Sequence, residues 1–461
     1  MIHTHFPKGP LFTILSLLLT GSLAACSASG PQARDGSAVK VLAEPSYPQM
    51  ASYPNEDAYT DSSTGEIKED FYDAYDAWNG DRRAQLDQAA AYEGKLTGFL
   101  RKSIPQFLSG QGEGNRIYSP LNVYLALGML AELTDGNSRG QILDLLGADS
   151  IQELRTLASA LWNANYCNDG ASTSILASSL WLNQDVSFVP SAMEQLAKAY
   201  YASSYQGEMG TEELNKALQT WLNEQTGGLL EEQASGLGLE ADTVLALATT
   251  IYFRGKWASE FSEGRTSQEV FHGPEQELTC DFMHQSDSQE YYWGDKFSAA
   301  SKSFESGGAM WFLLPDEGIS ADELLKDEEA MDFLLEREGW ENHKALIVNL
   351  SVPKFDVASD LNLVADLQAL GVKDVFDSEV SDFSPSVKDM EGLFVSKVNH
   401  AARVAIDEEG CIAAAYTVMA VCGAGMPPEE EVDFVLNRPF LFAITGNDGL
   451  PLFVGVVNQP A

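Results

Sequence analysis

The chain has 461 residues, enough for one large domain or two ordinary ones. It carries 68 acidic residues against 28 basic ones, a formal net charge of −40. With no basic cluster to offset it, that charge excludes nucleic acid and anionic membrane surfaces as partners and serves solubility.

Residues 11–25, LFTILSLLLTGSLAA, are apolar and short, follow Lys8 and end in small residues. This is the build of a secretory signal rather than of a folded helix. Leu23-Ala24-Ala25-Cys26 resembles the bacterial lipobox. That resemblance implies cleavage before Cys26, lipidation of its thiol and anchorage at a bacterial cell surface, with a membrane contact through the lipid only. Ordinary signal cleavage leaving a free cysteine is the alternative. From Ser27 to about Gly80 the residues are mostly Pro, Ser, Asp, Glu and Tyr with little apolar periodicity, which predicts a disordered tether. The expected organisation is therefore a signal over 1–25, a lipidated cysteine and tether over 26–84, and one folded domain over 85–461. The later apolar runs are too short to span a bilayer.

A helical pattern begins near Arg83, with Leu86, Ala89, Ala90, Tyr92, Leu96, Phe99 and Leu100 at helical spacing. Gly110-Gln111-Gly112-Glu113-Gly114 is a flexible turn. It fails as a phosphate loop, having an acid in its middle and no Lys-Ser/Thr after it. Ser119 then predicts an N-cap and Pro120 the first position of an apolar helix through Leu133. Ser174–Leu182, SILASSLWL, alternates as a strand does. Thr243–Phe253, TVLALATTIYF, is apolar and rich in β-formers. Cys167, Cys280, Cys411 and Cys422 have neither metal-ligand nor redox spacing and are too sparse for a disulfide framework. A Cys411–Cys422 bridge is open on spacing, but it would staple the segment between them should that segment need to extend.

Asp407–Pro428 reads DEEGCIAAAYTVMAVCGAGMPP. It carries no charge from Cys411 to Pro427, and acids flank it on both sides. Gly423, Gly425 and the prolines argue against a helix. With period two, one face is Cys411, Ala413, Ala415, Thr417, Met419 and Val421, and the other is Ile412, Ala414, Tyr416, Val418, Ala420 and Cys422. Either face enters a sheet interior without burying a charge. The segment is thus an ordinary Ala-rich core strand, or a loop that becomes a strand under a trigger.

Several motifs, taken together, resemble the serpins. They include Asn115–Asn122, Thr134–Ile142, Trp221 with Thr226-Gly227-Gly228, Arg254-Gly255-Lys256-Trp257, Phe282-Met283-His284, Val352-Pro353-Lys354-Phe355 and Leu370–Phe376. Others are Glu408-Glu409-Gly410 followed by Ala413-Ala414-Ala415, then Asn437–Ile444 and Leu452–Val457. They run in order over roughly residues 85–461. The resemblance implies an α+β serpin fold: a large mixed sheet, smaller sheets, surrounding helices and an exposed reactive-centre loop. It implies a suicide inhibitor of serine proteases, working as a monomer by loop cleavage and insertion. The alternative is a non-inhibitory binding protein whose loop is cleaved without trapping.

The resemblance also assigns residues. Glu408, Glu409, Gly410, Cys411, Ala413, Ala414 and Ala415 correspond to the hinge of the loop. Trp257, Lys354 and Glu408 correspond to the breach at the top of the main sheet, with Lys354 paired to Glu408. Ser119, Pro120, Asn122, Thr249 and His400 correspond to the shutter beneath the point where that sheet parts. Thr249 stands where the family usually has asparagine. The family's usual spacing from Gly410 puts the reactive bond at Ala424–Gly425. The loop is longer than common, so the bond falls within Val421 to Met426. All of these are small or apolar, which favours elastase-like or subtilisin-like proteases over trypsin-like ones. No metal or cofactor is expected. His272, His284, His343 and His400 are scattered, and neither a Gly-x-Ser-x-Gly nor a His-Glu-x-x-His pattern occurs, so nothing nominates an enzyme.

Overall fold

The helix Pro120–Leu133 buries every residue but Ala126, as an apolar surface running all round a helix requires. It forms the centre of the core in a computed structural model. The model describes residues 39–460, apart from Ser62, Glu93, 111–113, Leu229, Ser306, Asp389 and 412–429. Around this helix the strands form two sheets and a ribbon.

The first sheet has the spatial order β1 (Lys40–Ala43), β5 (Ala202–Gly207), β4 (Ser172–Asn183), β6 (Leu245–Lys256) and β14 (Gly410–Cys411). The short β3 (Cys167–Asn168) pairs with the start of β4. The β4–β5 pair is parallel and the other pairs are antiparallel. The second sheet runs β15 (Glu431–Val435), β11 (His343–Pro353), β8 (Glu277–Trp293), β9 (Phe297–Ser303), β10 (Ala309–Pro315), β16 (Phe440–Thr445), β17 (Pro451–Val457) and β2 (Arg116–Tyr118). In it, β7 (Ser267–His272) pairs with β8. Every residue of β17 is buried, which explains its unbroken apolar run. The ribbon is β12 (Phe355–Asn362) with β13 (Asn399–Ile406).

Several sequence expectations need correction. The tether expected over 27–80 does not hold from residue 39 onward. β1 adds a strand to the outer edge of the first sheet, with Lys40 opposite Gln206 and Val41 opposite Tyr205. A helix then spans Glu69–Ala89. Its Trp78 is buried and donates its indole N–H to Asp169 Oδ2 at 2.9 Å. Tyr47 packs on Trp162 with ring centroids 5.1 Å apart. These aromatic rings bury one at a time, so the segment shows no apolar period. The single helical pattern expected from Arg83 to Leu100 is two helices. The second is Thr97–Leu108, and Gly94 turns the chain between them with φ +70°.

If residues 39–89 are part of the fold, Trp78→Ala costs about 3 kcal/mol, typical of a buried tryptophan, and lowers the thermal midpoint by several degrees. A detached tether predicts an unchanged melting curve for the same variant.

Candidate functional site

The site begins with hydrogen bonds that two strands do not make. β6 pairs with β4 from Leu245 to Gly255. On its other edge, among the described residues, only Gly255 and Lys256 are paired, to Cys411 and Gly410 of β14. β13 pairs along its length with β12 and, among the described residues, with no other strand. Asp407 N–H donates to the Gly410 carbonyl at 3.0 Å, so the chain leaves β13 by a tight turn and enters β14 beside it. Below β14, β6 and β13 therefore border a slot. Leu245, Leu247 and Ile251 of β6 pack on the main core yet stay only half-buried, as residues next to an open edge do.

The helix Pro120–Leu133 underlies both edges, because it packs against β6 while its N-terminus is bonded to β13. Ser119 occupies the N-cap position with Pro120 after it, but its hydroxyl makes no cap bond. Its backbone N–H donates instead to His400 Nε2 at 3.0 Å. Tyr118 stands edge-on to the His400 ring, 5.7 Å between centroids. Asn122 is buried one turn along. Thr249 faces the same core as its neighbours Leu247 and Ile251, opposite Ser178 of β4. The partner of His400 is thus a backbone amide and not the Thr249 side chain. Burial pushes the His400 imidazole down to about 4, which keeps it neutral and able to accept that bond.

At the top of the slot the chain after β13 is fastened at several points. Glu408 Oε2 meets Lys354 Nζ at 2.6 Å, and Glu408 Oε1 accepts from Thr266 Oγ1 at 2.7 Å. Burial alone would raise this carboxyl. The hydrogen bonds from Lys354 and Thr266 outweigh it and hold the group below the usual carboxylate range. The Trp257 indole N–H donates to the Asp407 carbonyl at 2.9 Å. Its backbone N–H donates to the Glu409 carbonyl at 3.1 Å, and Phe261 N–H to the Glu408 carbonyl at 2.9 Å. Trp257 itself is buried, stacked on Phe304 at 5.0 Å and 9°. Gly410 has a packing reason: a Cβ there would collide with the Gly255 carbonyl oxygen. Cys411 is a free thiol, 2% exposed, and burial pushes it up to about 12, which leaves it inert.

The structure thus brings Glu408, Lys354 and Trp257 together at one end of the slot, and Ser119, Pro120, Asn122, His400 and Thr249 around its floor. Ala413, Ala414, Ala415, Ala424 and Gly425 lie outside the described residues, as do Cys26 and Cys422. Sequence reasoning missed Thr266, Phe304 and Phe261. Their contacts to Glu408 and Trp257 are long-range and leave no local pattern. Among the described residues no group of His, Cys, Asp and Glu could hold a metal ion, and no helix is long and apolar enough to cross a membrane.

A family model described as serpin (serine protease inhibitor) matches residues 97–460. The leukocyte elastase inhibitor of Sus scrofa is 30% identical over 358 residues, covering 75% of this chain and 93% of that protein. Serpin-ZX of Arabidopsis thaliana is 28% identical over 367 residues, covering 75% and 92%. Among solved structures, the thermophilic serpin tengpin in its native state superposes with a TM-score of 0.70 at 24% identity, covering 79% of this chain and 93% of that one.

His400 makes stability pH-dependent in a defined window. Its imidazole falls from an ordinary value of 6.5 to about 4 on folding. Stability from the neutral ring is therefore complete above about pH 6.5 and is lost as pH falls toward about 4. The amplitude is on the order of 3 kcal/mol, because the unfolded chain takes up the proton first. In urea unfolding at a series of pH values, His400→Asn should flatten this acid limb. Parallel limbs for the two proteins would mean that His400 is not held neutral.

Proposed function

The chain belongs to the serpin family, and we propose that it is a suicide inhibitor of serine proteases with a preference for small residues, such as elastase-like or subtilisin-like enzymes. The observation that carries this reading is the slot between β6 and β13, with β14 already seated at its head in antiparallel register. Gly410 lies opposite Lys256 and Cys411 opposite Gly255. Continuing that register residue by residue would set Ala413 opposite Phe253, Ala415 opposite Ile251 and Thr417 opposite Thr249. Directly opposed residues share a face. Phe253, Ile251, Leu247 and Leu245 face the main core. The small, uncharged set Cys411, Ala413, Ala415, Thr417, Met419 and Val421 would then point inward. β6 ends at Leu245, whose partner in this register is Val421, immediately before Cys422-Gly423 where strand character stops. The loop's strand-fit length and the length of the open edge agree.

The chemistry is that of a substrate. The protease serine attacks the carbonyl carbon at Ala424, the C–N bond to Gly425 breaks, and the amine of Gly425 leaves with the proton supplied by the protease. An ester joins the chain to the enzyme. The freed segment enters the slot as a new strand and carries the enzyme with it. Roughly ten ladder hydrogen bonds at about 1 kcal/mol each, plus the buried inner face, give on the order of ten or more kcal/mol. That is comparable with the whole stability of a protease domain, about 5–15 kcal/mol. The protein itself turns nothing over. The lipobox-like stretch ending at Cys26 supports a lipoprotein held at a bacterial cell surface.

Mixing the soluble domain with pancreatic elastase should give a complex that survives SDS, with a small carboxy-terminal peptide released at a bond within Val421 to Met426. Cleavage without a complex would leave the family in place and sink the inhibitory reading. Cys411→Arg should convert the inhibitor into a substrate, raising the stoichiometry of inhibition several-fold. Position 411 is 2% exposed and accepts no unpaired charge. Unchanged stoichiometry would mean that the inward face is misassigned.

A further inference from the structure

The helix Glu69–Ala89 lies outside the span matched by the family, residues 97–460, so its outer face has no role in the account above. We infer that this face is a second contact surface for the protease engaged by the loop, and that it fits a basic patch on that enzyme. The inference rests on the inhibitory reading.

Two independent chemistries on the face select the same ligand. The first is aromatic. Ring centroids run without a break from Tyr59 to Phe71 (5.8 Å), Phe71 to Tyr72 (5.5 Å), Phe71 to Tyr75 (6.1 Å) and Tyr75 to Trp78 (5.7 Å). Trp78 is buried and anchors the row, whereas Tyr72 is 59% and Tyr75 41% exposed. The second is charge. Glu66, Glu69, Asp70, Asp73 and Asp76 are all exposed, with Lys68 as the one cation between Glu66 and Asp76, and helical spacing puts Glu69, Asp73 and Asp76 on the side of Tyr72. Tyrosine faces attract Arg and Lys through the ring quadrupole, and carboxylates bind the same groups by charge-assisted hydrogen bonds. A helix whose outer face served only solubility would need the acids and not the two tyrosines.

The position of the face selects the partner. Trp78 bonds to Asp169 Oδ2 at 2.9 Å. Asp169 N–H donates to the Ser172 carbonyl at 3.3 Å. Ser172 is paired with Gly255, and Gly255 with Cys411, the last described residue before the loop. The aromatic row therefore stands at the end of the first sheet from which the loop departs. An enzyme docked on the loop comes next to it. A contact of this kind acts on encounter, raising the association rate in a salt-dependent way, and leaves the later insertion step unchanged.

The test uses the full soluble domain, wild type against Tyr72→Gln/Tyr75→Gln and against Asp70→Asn/Asp73→Asn/Asp76→Asn, with a cationic elastase. Glutamine keeps helix propensity at the tyrosine positions. Each variant should lower the second-order inhibition rate about tenfold at low ionic strength, and the difference should close as salt rises past a Debye length of about 8 Å. The stoichiometry of inhibition should not move. Rates within twofold of wild type at every ionic strength would overturn the surface. Equilibrium binding of the same elastase, its catalytic serine blocked by a small covalent reagent, separates the two claims. Salt-dependent binding that both variants lose supports the surface even if no SDS-resistant complex forms, in which case only the inhibitory reading fails. Binding equal in all three proteins overturns the surface even if trapping is intact.

Discussion

Backbone N–H and C=O groups must be paired or solvated, and among the described residues two strand edges, on β6 and β13, pair with nothing below Gly255. The rest of the structure follows from that constraint. The sheet stays divided because the helix Pro120–Leu133 supports both edges from beneath, packing on β6 and holding β13 through the Ser119–His400 bond. It stays divided also because the residues that could fill the slot are tied at its head. An edge that bare invites pairing with any extended chain. On the reading proposed above, the segment that fills it is the chain's own continuation beyond Cys411.

The fastening at the head is built from unequal parts. The Lys354–Glu408 pair is partly buried and held by a third group, Thr266, so losing either charge would leave the other uncompensated. Trp257 contributes two hydrogen bonds to the backbone of Asp407 and Glu409 and is itself fixed by stacking on Phe304. Together these contacts keep the turn from Asp407 to Gly410 in one conformation. The first step of any insertion therefore starts from a defined register. His400 plays the corresponding part at the floor, where a charged ring would lose its only protein acceptor role and face burial at once.

The sequence made much of this legible, and the exceptions have physical reasons. Thr243–Phe253 reads as a strand because β-branched residues cluster there. Glu408 and Lys354 read as a pair through the resemblance of Pro353-Lys354-Phe355 and Glu408-Glu409-Gly410 to a known family. The slot itself was not legible, since an unpaired edge has the same composition as a paired one. Nor was the partner of His400, a backbone amide that carries no side-chain signature. The amino-terminal strand and helix look like a tether in the sequence because Tyr47 packs on the distant Trp162 while Tyr53 and Trp78 pack on each other, with no common period to reveal them. Ser119 does stand at the N-cap of a helix, as the sequence predicts, but its hydroxyl makes no cap bond.

The central claim is that the divided sheet is a metastable state which the loop can complete. A single cut in the loop separates this from every static reading of the fold. In an ordinary protein a nick adds chain freedom and leaves stability equal or lower. The measurement is the melting curve of intact and loop-nicked protein at the same pH and salt, the cut placed between Val421 and Met426. The account predicts an upward shift of tens of degrees, as the slot fills and its two edges pair. An equal or lower melting temperature after the cut would contradict it.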